Sequence, residues 1–346
     1  MTENNIQGKR ILLIGLSFHN YYKHIQSELY NLGANEVKFV ESKWFPEDWY
    51  LSSNKIYTII RLIINPFFRI KYTNKVISEL SGNSYDVIFS FAAFTLSEKL
   101  IKHLKKQNPK LISTIFYWDS FHTWNLSHTM KYFDNCYSFD KRDCDKYDDL
   151  KYYPDFYLPA NIEIEQSEDK YYLSHIGSTG PRYIDRLIAV KKLIRVIAEK
   201  KITSYIFLYS PSQRKWKQML FSLFSWRQFK YLILSQKYKK LISHQIITLQ
   251  EVQDVERNSR AILDLPVKTQ HGTTIRVLTA IANRKKIITS NKHIINEKFY
   301  NPNNILIIDN KTPEIDLDFF NKPYIPVDIS YLRIDNWLKY ILNNES

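Results

Sequence analysis

Residues 260–290 constrain the fold of this chain more than any other stretch, because they read as strand, loop, helix and strand in succession. Residues 261–265 form a short apolar run of the kind found in buried parallel strands. After a polar loop, Gly272 precedes a segment, 275–282, whose apolar residues recur at helical spacing, and 285–289 predict the next strand. A helix that begins with small and hydroxyl residues offers unpaired N–H groups and a partial positive charge to a phosphate. An ordinary capped helix is the alternative.

The same alternation continues along the chain in two series, separated by a stretch of prolines and acidic residues at 152–168. The first series predicts strands at 10–16, 36–41, 85–91, 111–118 and 136–139, with helical residues at 50–81 broken at Pro66. The second series predicts strands at 171–176, 203–209, 245–248, 261–265, 285–289 and 304–308. Strands that alternate with helices form doubly wound sheets, whose ligands bind at the carboxyl ends of the strands.

We therefore predict an α/β protein of two Rossmann-like domains that face a cleft. A chain of 346 residues suits two domains better than one. The first domain is expected over 1–155 and the second over 169–328. A helix within 329–346 is expected to pack back on the first domain.

The composition is that of a globular protein, with 44% hydrophobic and 24% charged residues. No apolar stretch reaches the roughly 20 residues that a membrane-spanning helix needs. The polar start of the chain leads straight into a strand, so we expect no signal peptide. Cys136 and Cys144 are the only cysteines, which agrees with a reducing compartment. We expect a cytoplasmic protein.

The net charge of +14 points to an anionic partner, and its distribution indicates which one. No acidic residue occurs between Glu199 and Glu251, where basic residues alternate with aromatic and apolar ones. A helix that is basic on one side and aromatic on the other is typical of an anchor on anionic lipid. The residues expected to face the inner leaflet of the membrane are Arg214, Lys215, Trp216, Trp226, Arg227 and Lys230. A weaker stretch of the same kind lies at 55–75, and buried helices with basic edges are the alternative for both.

Several short segments, in order along most of the chain, carry a family resemblance. They are Phe-Tyr-Trp-Asp-Ser at 116–120, Ser-Phe-Asp at 138–140 with Asp143, Ile-Gly-Ser at 176–178 with Arg182, Gln-His-Gly-Thr-Thr-Ile-Arg at 270–276, and the segments 286–291 and 299–305. The set resembles the GT-B glycosyltransferases, and among them a group from bacterial capsule and lipopolysaccharide biosynthesis related to the CgeB-like proteins. The resemblance implies sugar transfer from a nucleotide-sugar donor to a glycan or glycolipid acceptor, without a metal or other cofactor.

The resemblance also implies which residues bind the donor. They are Gly177, Ser178, Arg182, Gln270, His271, Gly272, Thr273, Thr274 and Arg276. Arg276 would offset the charge of the leaving diphosphate in place of a metal ion. Thr279 stands where many such transferases have an acidic residue.

An inverting transfer needs a base for the acceptor hydroxyl, and Asp119 is our first candidate because the resemblance includes it. His19, after the first strand, is the second. The alternative for Asp119 is a helix cap or a loop-bracing carboxylate, and for His19 it is a loop histidine hydrogen-bonded to the backbone. A retaining mechanism needs no such base. The Asp-x-Asp pairs at Asp143 and Asp316 match a metal motif only formally, and Asp143 is expected in a solvated helix.

Two other classes of function remain open. A nucleic-acid-binding protein would explain the charge, but it explains neither two Rossmann-like halves nor the loop at Gly272, so nucleic acid is the less favoured partner. A non-catalytic GT-B relative that acts as a scaffold would retain the fold and the donor site without turnover.

Overall fold

The computed structural model describes residues 6–17, 20–42, 55–91, 96–159, 169–181, 183–210, 226–267 and 270–343, and for residues 55–65 it describes the backbone alone. These residues form two six-stranded sheets in which all the paired strands are parallel. The sheets follow one another along the chain, and helices flank both of them.

The first sheet has the strand order β2-β1-β3-β4-β5-β6. Its strands are β1 (Arg10–Gly15), β2 (Glu36–Glu41), β3 (Val87–Phe91), β4 (Ile112–Tyr117), β5 (Asn135–Ser138) and β6 (Leu150–Tyr152). The helices between them are α1 (Tyr21–Asn31), α2 (Lys55–Leu80), α3 (Glu98–Gln107) and α4 (Lys141–Cys144), with a 3₁₀ turn at Ser127–Tyr132.

The second sheet has the strand order β12-β11-β10-β7-β8-β9. Its strands are β7 (Tyr171–Ser178), β8 (Ser204–Tyr209), β9 (Ile242–Ser243), β10 (Ser259–Asp264), β11 (Lys286–Thr289) and β12 (Ile305–Ile307). The helices are α5 (Ile184–Glu199), α6 (Trp226–Lys237), α7 (Leu249–Arg257), α8 (Ile275–Ala282), α9 (Asp318–Asn321) and α10 (Ile334–Asn343). Three 3₁₀ turns lie at Lys239–Leu241, Lys292–Asn296 and Ser330–Leu332.

Each sheet has a point where its strand order reverses, between β1 and β3 in the first sheet and between β7 and β10 in the second. In doubly wound sheets, ligands bind outside the carboxyl ends of the strands at such a point. The predicted fold class, two Rossmann-like halves, is therefore confirmed.

The last helix, α10, returns to the first sheet as predicted. The side chain of Trp337 on this helix is fully buried, and its indole Nε1 donates a hydrogen bond of 3.0 Å to the carbonyl oxygen of Pro154. Its ring lies 4.8 Å from that of Phe116 and 4.9 Å from that of Phe156, between ring centroids. Aromatic pairs at these distances add to the stabilisation from burial alone.

One continuous hydrophobic cluster joins the two halves. It includes Phe139 after β5 of the first sheet and Trp337 of α10, together with Val277 and Leu278 of α8 and Phe299 after β11 of the second sheet. Because this cluster is shared, the two sheets are held against each other by apolar contact as well as by the polar contacts described below.

Two predicted details are wrong. The helix α2 runs through Pro66 without a break, because its later turns stay anchored by buried Val76 and Leu80 although a proline removes one helical hydrogen bond. The strand predicted at 245–248 is instead the two-residue β9, which pairs with β8, and Ile246 is 66% exposed. The apolar pair at 246–247 therefore marks the approach to α7 and not a buried strand.

Candidate active site

The loop that leads into α8 is fixed by contacts from both sheets. The backbone N–H of His271 donates a hydrogen bond of 3.0 Å to Oδ2 of Asp140, which is fully buried at the end of β5. The carbonyl oxygen of His271 accepts a bond of 2.9 Å from Nδ2 of Asn291. The His271 ring stacks on that of His293 with 3.7 Å between centroids, and burial with neighbouring cations, Arg142 first, lowers the pKa of His271. Contacts from both halves of the molecule therefore hold His271 in place.

Gly272 in this loop is required by the neighbouring half of the molecule. A Cβ atom at this position would lie 2.3 Å from the carbonyl oxygen of Phe139 and 2.4 Å from its ring. No side chain fits there without displacing the first sheet. Gly272, which the sequence predicts to lie at the donor, also lets the two halves approach closely.

The start of α8 presents two unpaired hydroxyl groups. Thr273 and Thr274 have buried Oγ1 atoms that meet no hydrogen-bond partner in the described part of the chain. Thr274 is the N-cap residue, but its side chain makes no capping bond. Buried hydroxyl groups are nearly always hydrogen-bonded, so two unpaired ones side by side at the start of a helix are an exception. Gln270 precedes them, and its backbone N–H donates to Val267.

Arg276 is the second residue of α8, and its side chain reaches back to the end of β7. Its Nη1 donates to the carbonyl oxygen of Ile176, and its Nε lies 3.5 Å from Oε1 of Glu256 on α7. Burial raises the pKa of Glu256 to about 7, against the opposing charge of Arg276. The guanidinium is thus held beside Gly177 and Ser178 while its side chain stays 32% exposed.

Arg186 on α5 is a site residue that the sequence analysis missed. Its Nη1 donates a bond of 2.6 Å to the carbonyl oxygen of Ser178, and its Nε donates one of 2.8 Å to that of Leu265. It thereby ties together the ends of β7 and β10, the strands at the switch point. Burial and the charge of Arg276 lower its pKa. A cation in the first turn of a helix opposes the helix dipole, and this is the signal that the sequence offered.

His175 explains why residue 177 is a glycine. A Cβ atom on Gly177 would lie 2.9 Å from Nε2 of His175. Burial lowers the pKa of His175 to about 3, so the ring is neutral and its Nδ1 donates to the carbonyl oxygen of Leu263 at 2.7 Å. The His175 ring therefore packs directly against Gly177.

Across the cleft, Tyr21 at the start of α1 faces Arg276. Burial raises the pKa of Tyr21 to about 12, and the charges of Arg276, Asp155 and Glu256 all act on it. The Tyr21 ring meets Trp118 edge-on, with centroids 5.6 Å apart, and Nε1 of Trp118 donates to Oδ1 of Asp155 at 2.9 Å. Asp119, the predicted base, follows Trp118 at the carboxyl end of β4 and is half-buried.

A histidine and an aspartate that the sequence analysis did not pair lie at the same end of β4. Nδ1 of His122 is 3.0 Å from Oδ1 of Asp143, and the backbone N–H of Phe121 donates to Oδ2 at 2.7 Å. Asp143 is fully buried, so the expectation that it lies in a solvated helix is wrong. Its hydrogen bonds to the turn after β4 draw it inward.

The geometry can be compared with that of known proteins. The chain aligns over 97% of its length with a UDP-forming trehalose-phosphate synthase from Burkholderia xenovorans, at 9% identity, a TM-score of 0.54 and 95% coverage of that chain. A structure of the enzyme from that species with glucose-6-phosphate matches at 10% identity, a TM-score of 0.54, and 97% and 96% coverage of this chain and that one. The UDP-GlcNAc 2-epimerase of Methanocaldococcus jannaschii, in complex with UDP-GlcNAc and UDP, matches at 11% identity, a TM-score of 0.50, and 97% and 99% coverage. This protein has the GT-B fold. No protein-family model and no curated protein sequence matches the chain.

Within the GT-B cleft, most of the predicted donor residues share one edge. Gly177, Ser178, Thr273, Thr274 and Arg276 all lie at the ends of β7 or at the start of α8. His19 and Arg182 lie outside the described residues, as do Arg214, Lys215 and Trp216 of the predicted membrane surface.

Three predicted membrane-facing residues of this GT-B protein lie on α6. Trp226 is 74% exposed, and Arg227 and Lys230 are exposed beside it. None of the described helices is both long enough and apolar enough to cross a bilayer. Among the residues that the structure describes, no three His, Cys, Asp or Glu side chains are grouped so that they could hold a metal ion.

Proposed function

We propose that this protein is a glycosyltransferase that moves a sugar from a nucleotide-sugar donor to a glycan or glycolipid acceptor. The observation that carries the proposal is the start of α8, where two buried, unpaired threonine hydroxyls and open N–H groups stand beside Arg276. This arrangement suits a diphosphate, and it lies at the switch point of a doubly wound sheet. The GT-B structures found by comparison include enzymes with a nucleotide sugar or a sugar phosphate bound.

In this proposal the donor diphosphate lies between the end of β7 and the start of α8. Gly177 and Ser178 approach it from one side, and Thr273 and Thr274 donate hydrogen bonds from the other. Arg276 offsets the negative charge that develops on the leaving diphosphate, which is the role a metal ion has in other transferases. Arg182, Gln270, His271 and Gly272 complete the donor set, and no metal or other cofactor is needed.

The acceptor side is formed by the first sheet, at the carboxyl end of β4 and after β1. Asp119 and His19 are the residues proposed from the sequence to take the acceptor proton. By the resemblance to the capsule and lipopolysaccharide group, the acceptor is a lipid-linked bacterial surface glycan. The proposed bounds of the two domains are 1–155 and 169–328, and those of the returning helix are 329–346.

We propose further that the enzyme works at the inner face of the cytoplasmic membrane, where such acceptors are displayed. On α6, Trp226, Phe229 and Ile233 are 74%, 41% and 53% exposed, next to Arg227 and Lys230. On α2, Phe67 and Ile70 are 68% and 59% exposed. Exposed aromatic residues among cations favour an anionic lipid surface.

Thermal shift with a panel of nucleotides tests the donor site. UDP, GDP, ADP, CDP, CMP and dTDP are added to the wild type and to the Arg276→Ala variant. A nucleotide at about 100 times its dissociation constant adds roughly 2.7 kcal/mol to the free energy of unfolding, which is a shift of several degrees. We expect one nucleotide to stabilise the wild type and not the variant.

The exposed Arg195 on α5 supplies the matched control, since Arg195→Ala removes an equal charge far from α8. This variant should respond as the wild type does. If none of the six nucleotides stabilises the wild type, the donor site is refuted.

A further inference from the structure

The turn after β4 is organised around one buried carboxylate. Asp143, on α4, accepts a hydrogen bond of 2.7 Å from the backbone N–H of Phe121 through Oδ2, and its Oδ1 lies 3.0 Å from Nδ1 of His122. The backbone N–H of His122 also donates to Oγ of Ser120 at 3.2 Å. Asp143 is fully buried, whereas 42% of the His122 side chain is exposed. The carboxylate therefore supports the turn from inside, and the imidazole faces outward.

This contact sets the tautomer of His122. A carboxylate only accepts hydrogen bonds, so the proton of a neutral His122 ring belongs on Nδ1. The lone pair is then on Nε2, on the opposite side of the ring and away from Asp143. An imidazole that is oriented through one nitrogen and basic at the other is the arrangement that enzymes use for general-base catalysis.

His122 stands close to the proposed diphosphate loop. Together with Arg142, His293 and Asp140, it lies near enough to His271 to affect the pKa of that ring. Asp140 connects the two regions directly, because it accepts from the backbone N–H of His271 and lies near the start of α4, the helix that carries Asp143. The His122 ring therefore lies against Asp143 and near His271, around which Arg142, His293 and Asp140 are grouped.

We propose that His122 is the general base of the transfer reaction and that Asp143 is its positioning residue. The inference rests on the proposed function. In the step, the acceptor hydroxyl gives its proton to Nε2 of His122 while its oxygen forms a bond to the anomeric carbon. The bond from that carbon to the phosphate oxygen breaks, and the nucleoside diphosphate leaves with the electron pair. The anomeric configuration inverts.

This assignment gives His122 the role for which the sequence favoured Asp119. Both residues follow β4, so they compete for the same function and variants can separate them. His128 provides a matched control, since it is a histidine in the same segment of the chain and lies near Arg69 on the outer side of the first sheet.

The test measures hydrolysis of UDP-glucose, UDP-GlcNAc, GDP-mannose, CDP-glucose and dTDP-glucose, with water as acceptor. The wild type is compared with His122→Gln, Asp143→Asn, Asp119→Asn and His128→Gln. For His122→Gln we expect kcat to fall by about 10²- to 10⁴-fold with unchanged affinity for the nucleotide, and for His128→Gln no change. Asp143→Asn should lower kcat and alter the pH profile, because Phe121 and His122 bond to different oxygens of Asp143 and asparagine has only one.

A readout that needs no turnover accompanies the kinetics. In ¹⁵N-histidine NMR, the signals lost in His122→Gln identify this ring among the nine histidines. We expect the Nδ1–H tautomer at neutral pH in the wild type and a change of tautomer in Asp143→Asn. Thermal melting of each variant shows whether it is folded.

Each outcome decides between the two proposals. Wild-type hydrolysis that survives in His122→Gln, or is lost instead in Asp119→Asn, overturns the assignment of His122 and leaves the transferase standing. A retained anomeric configuration, or the Nε2–H tautomer in the wild type, also overturns the assignment. Failure of every nucleotide to bind and of every donor to react refutes the transferase, and the assignment fails with it.

Discussion

The backbone N–H of His271 and the buried carboxylate of Asp140 are joined by a hydrogen bond of 3.0 Å, which connects the loop before α8 to the end of β5. The two residues belong to different sheets and meet where the cleft closes. The first half of the molecule therefore helps to fix the loop before α8. Movement of one half relative to the other would therefore displace His271, just before the start of α8.

Replacing Asp140 with asparagine should loosen this loop. The other oxygen of this carboxylate, Oδ1, accepts from the backbone N–H of Arg142 at 3.2 Å, and asparagine has only one oxygen for the two positions. We expect a loss of about 1–3 kcal/mol in the free energy of unfolding and weaker nucleotide binding. Urea unfolding and nucleotide titration of Asp140→Asn measure these effects. Asp145→Asn, at an exposed aspartate after the same helix, should leave both unchanged. Full nucleotide affinity in Asp140→Asn would show that the loop does not depend on this bond.

A methyl group at Gly272 should separate the two halves. The added Cβ would meet the backbone oxygen of Phe139 at 2.3 Å, and a backbone atom has no rotamer by which to escape. Overpacking of this kind costs about 1–3 kcal/mol. At Gly180, in contrast, nothing lies within 4 Å of the position that a Cβ would occupy, so Gly180→Ala should be neutral or slightly stabilising. Thermal unfolding of the two variants makes the comparison, and equal melting temperatures would contradict the close approach.

The pH dependence of stability should carry the signature of Glu256. Burial raises the pKa of this carboxyl from 4.5 to about 7, so the folded protein favours its protonated form. Its contribution to the free energy of unfolding is full below the unfolded value and is lost as the pH rises through about 7. We expect the melting temperature of the wild type to fall relative to that of Glu256→Gln as the pH rises from about 5 to about 8.

The comparison with Glu256→Gln isolates one group. Asp155, whose pKa burial raises to about 8, and His175, whose pKa burial lowers to about 3, are present in both proteins and cancel in the difference. A difference in melting temperature that stays constant over this range of pH would show that Glu256 ionises normally in the folded state.

The exposed face of α6 should bind anionic vesicles. Trp226→Ala removes the most exposed large apolar side chain on this helix, and we expect weaker co-sedimentation with phosphatidylglycerol vesicles and no change in melting temperature. Added salt should weaken the wild-type interaction, because cations contribute to it. Tyr30→Ala, at a residue 46% exposed on α1, is the matched control. Equal sedimentation of all three proteins, or binding to neutral phosphatidylcholine alone, would count against this surface.

The sequence predicts the fold well because its evidence is local. Runs such as 261–265 are apolar throughout, and this alone separates a buried parallel strand from a surface one. The sequence does not predict the short strand β6, and it misplaces the two-residue β9, because two or three residues show no periodicity. The break predicted at Pro66 is wrong because the rule for proline considers only the local sequence, whereas the packing of α2 on the sheet keeps the helix continuous.

The candidate site was predicted where one segment supplies the chemistry. Thr273, Thr274 and Arg276 are neighbours in the chain, and their placement at a helix start follows from the pattern around them. His122 and Asp143 meet only because β4 and β5 lie side by side in the sheet, and Arg186 acts through carbonyl groups that any residue has. Contacts of this kind depend on the order of the strands in the sheet, and residue types alone do not predict that order.

The place of α10 in the chain sets an order for folding during synthesis. Trp337 covers Phe116 and Phe156 of the first half, yet the ribosome makes it only after every strand of the second half. The nascent first half must therefore wait with part of its aromatic core uncovered while β7 to β12 are translated. During that interval a chaperone that binds exposed apolar surface can bind the first half, until the last helix packs against it.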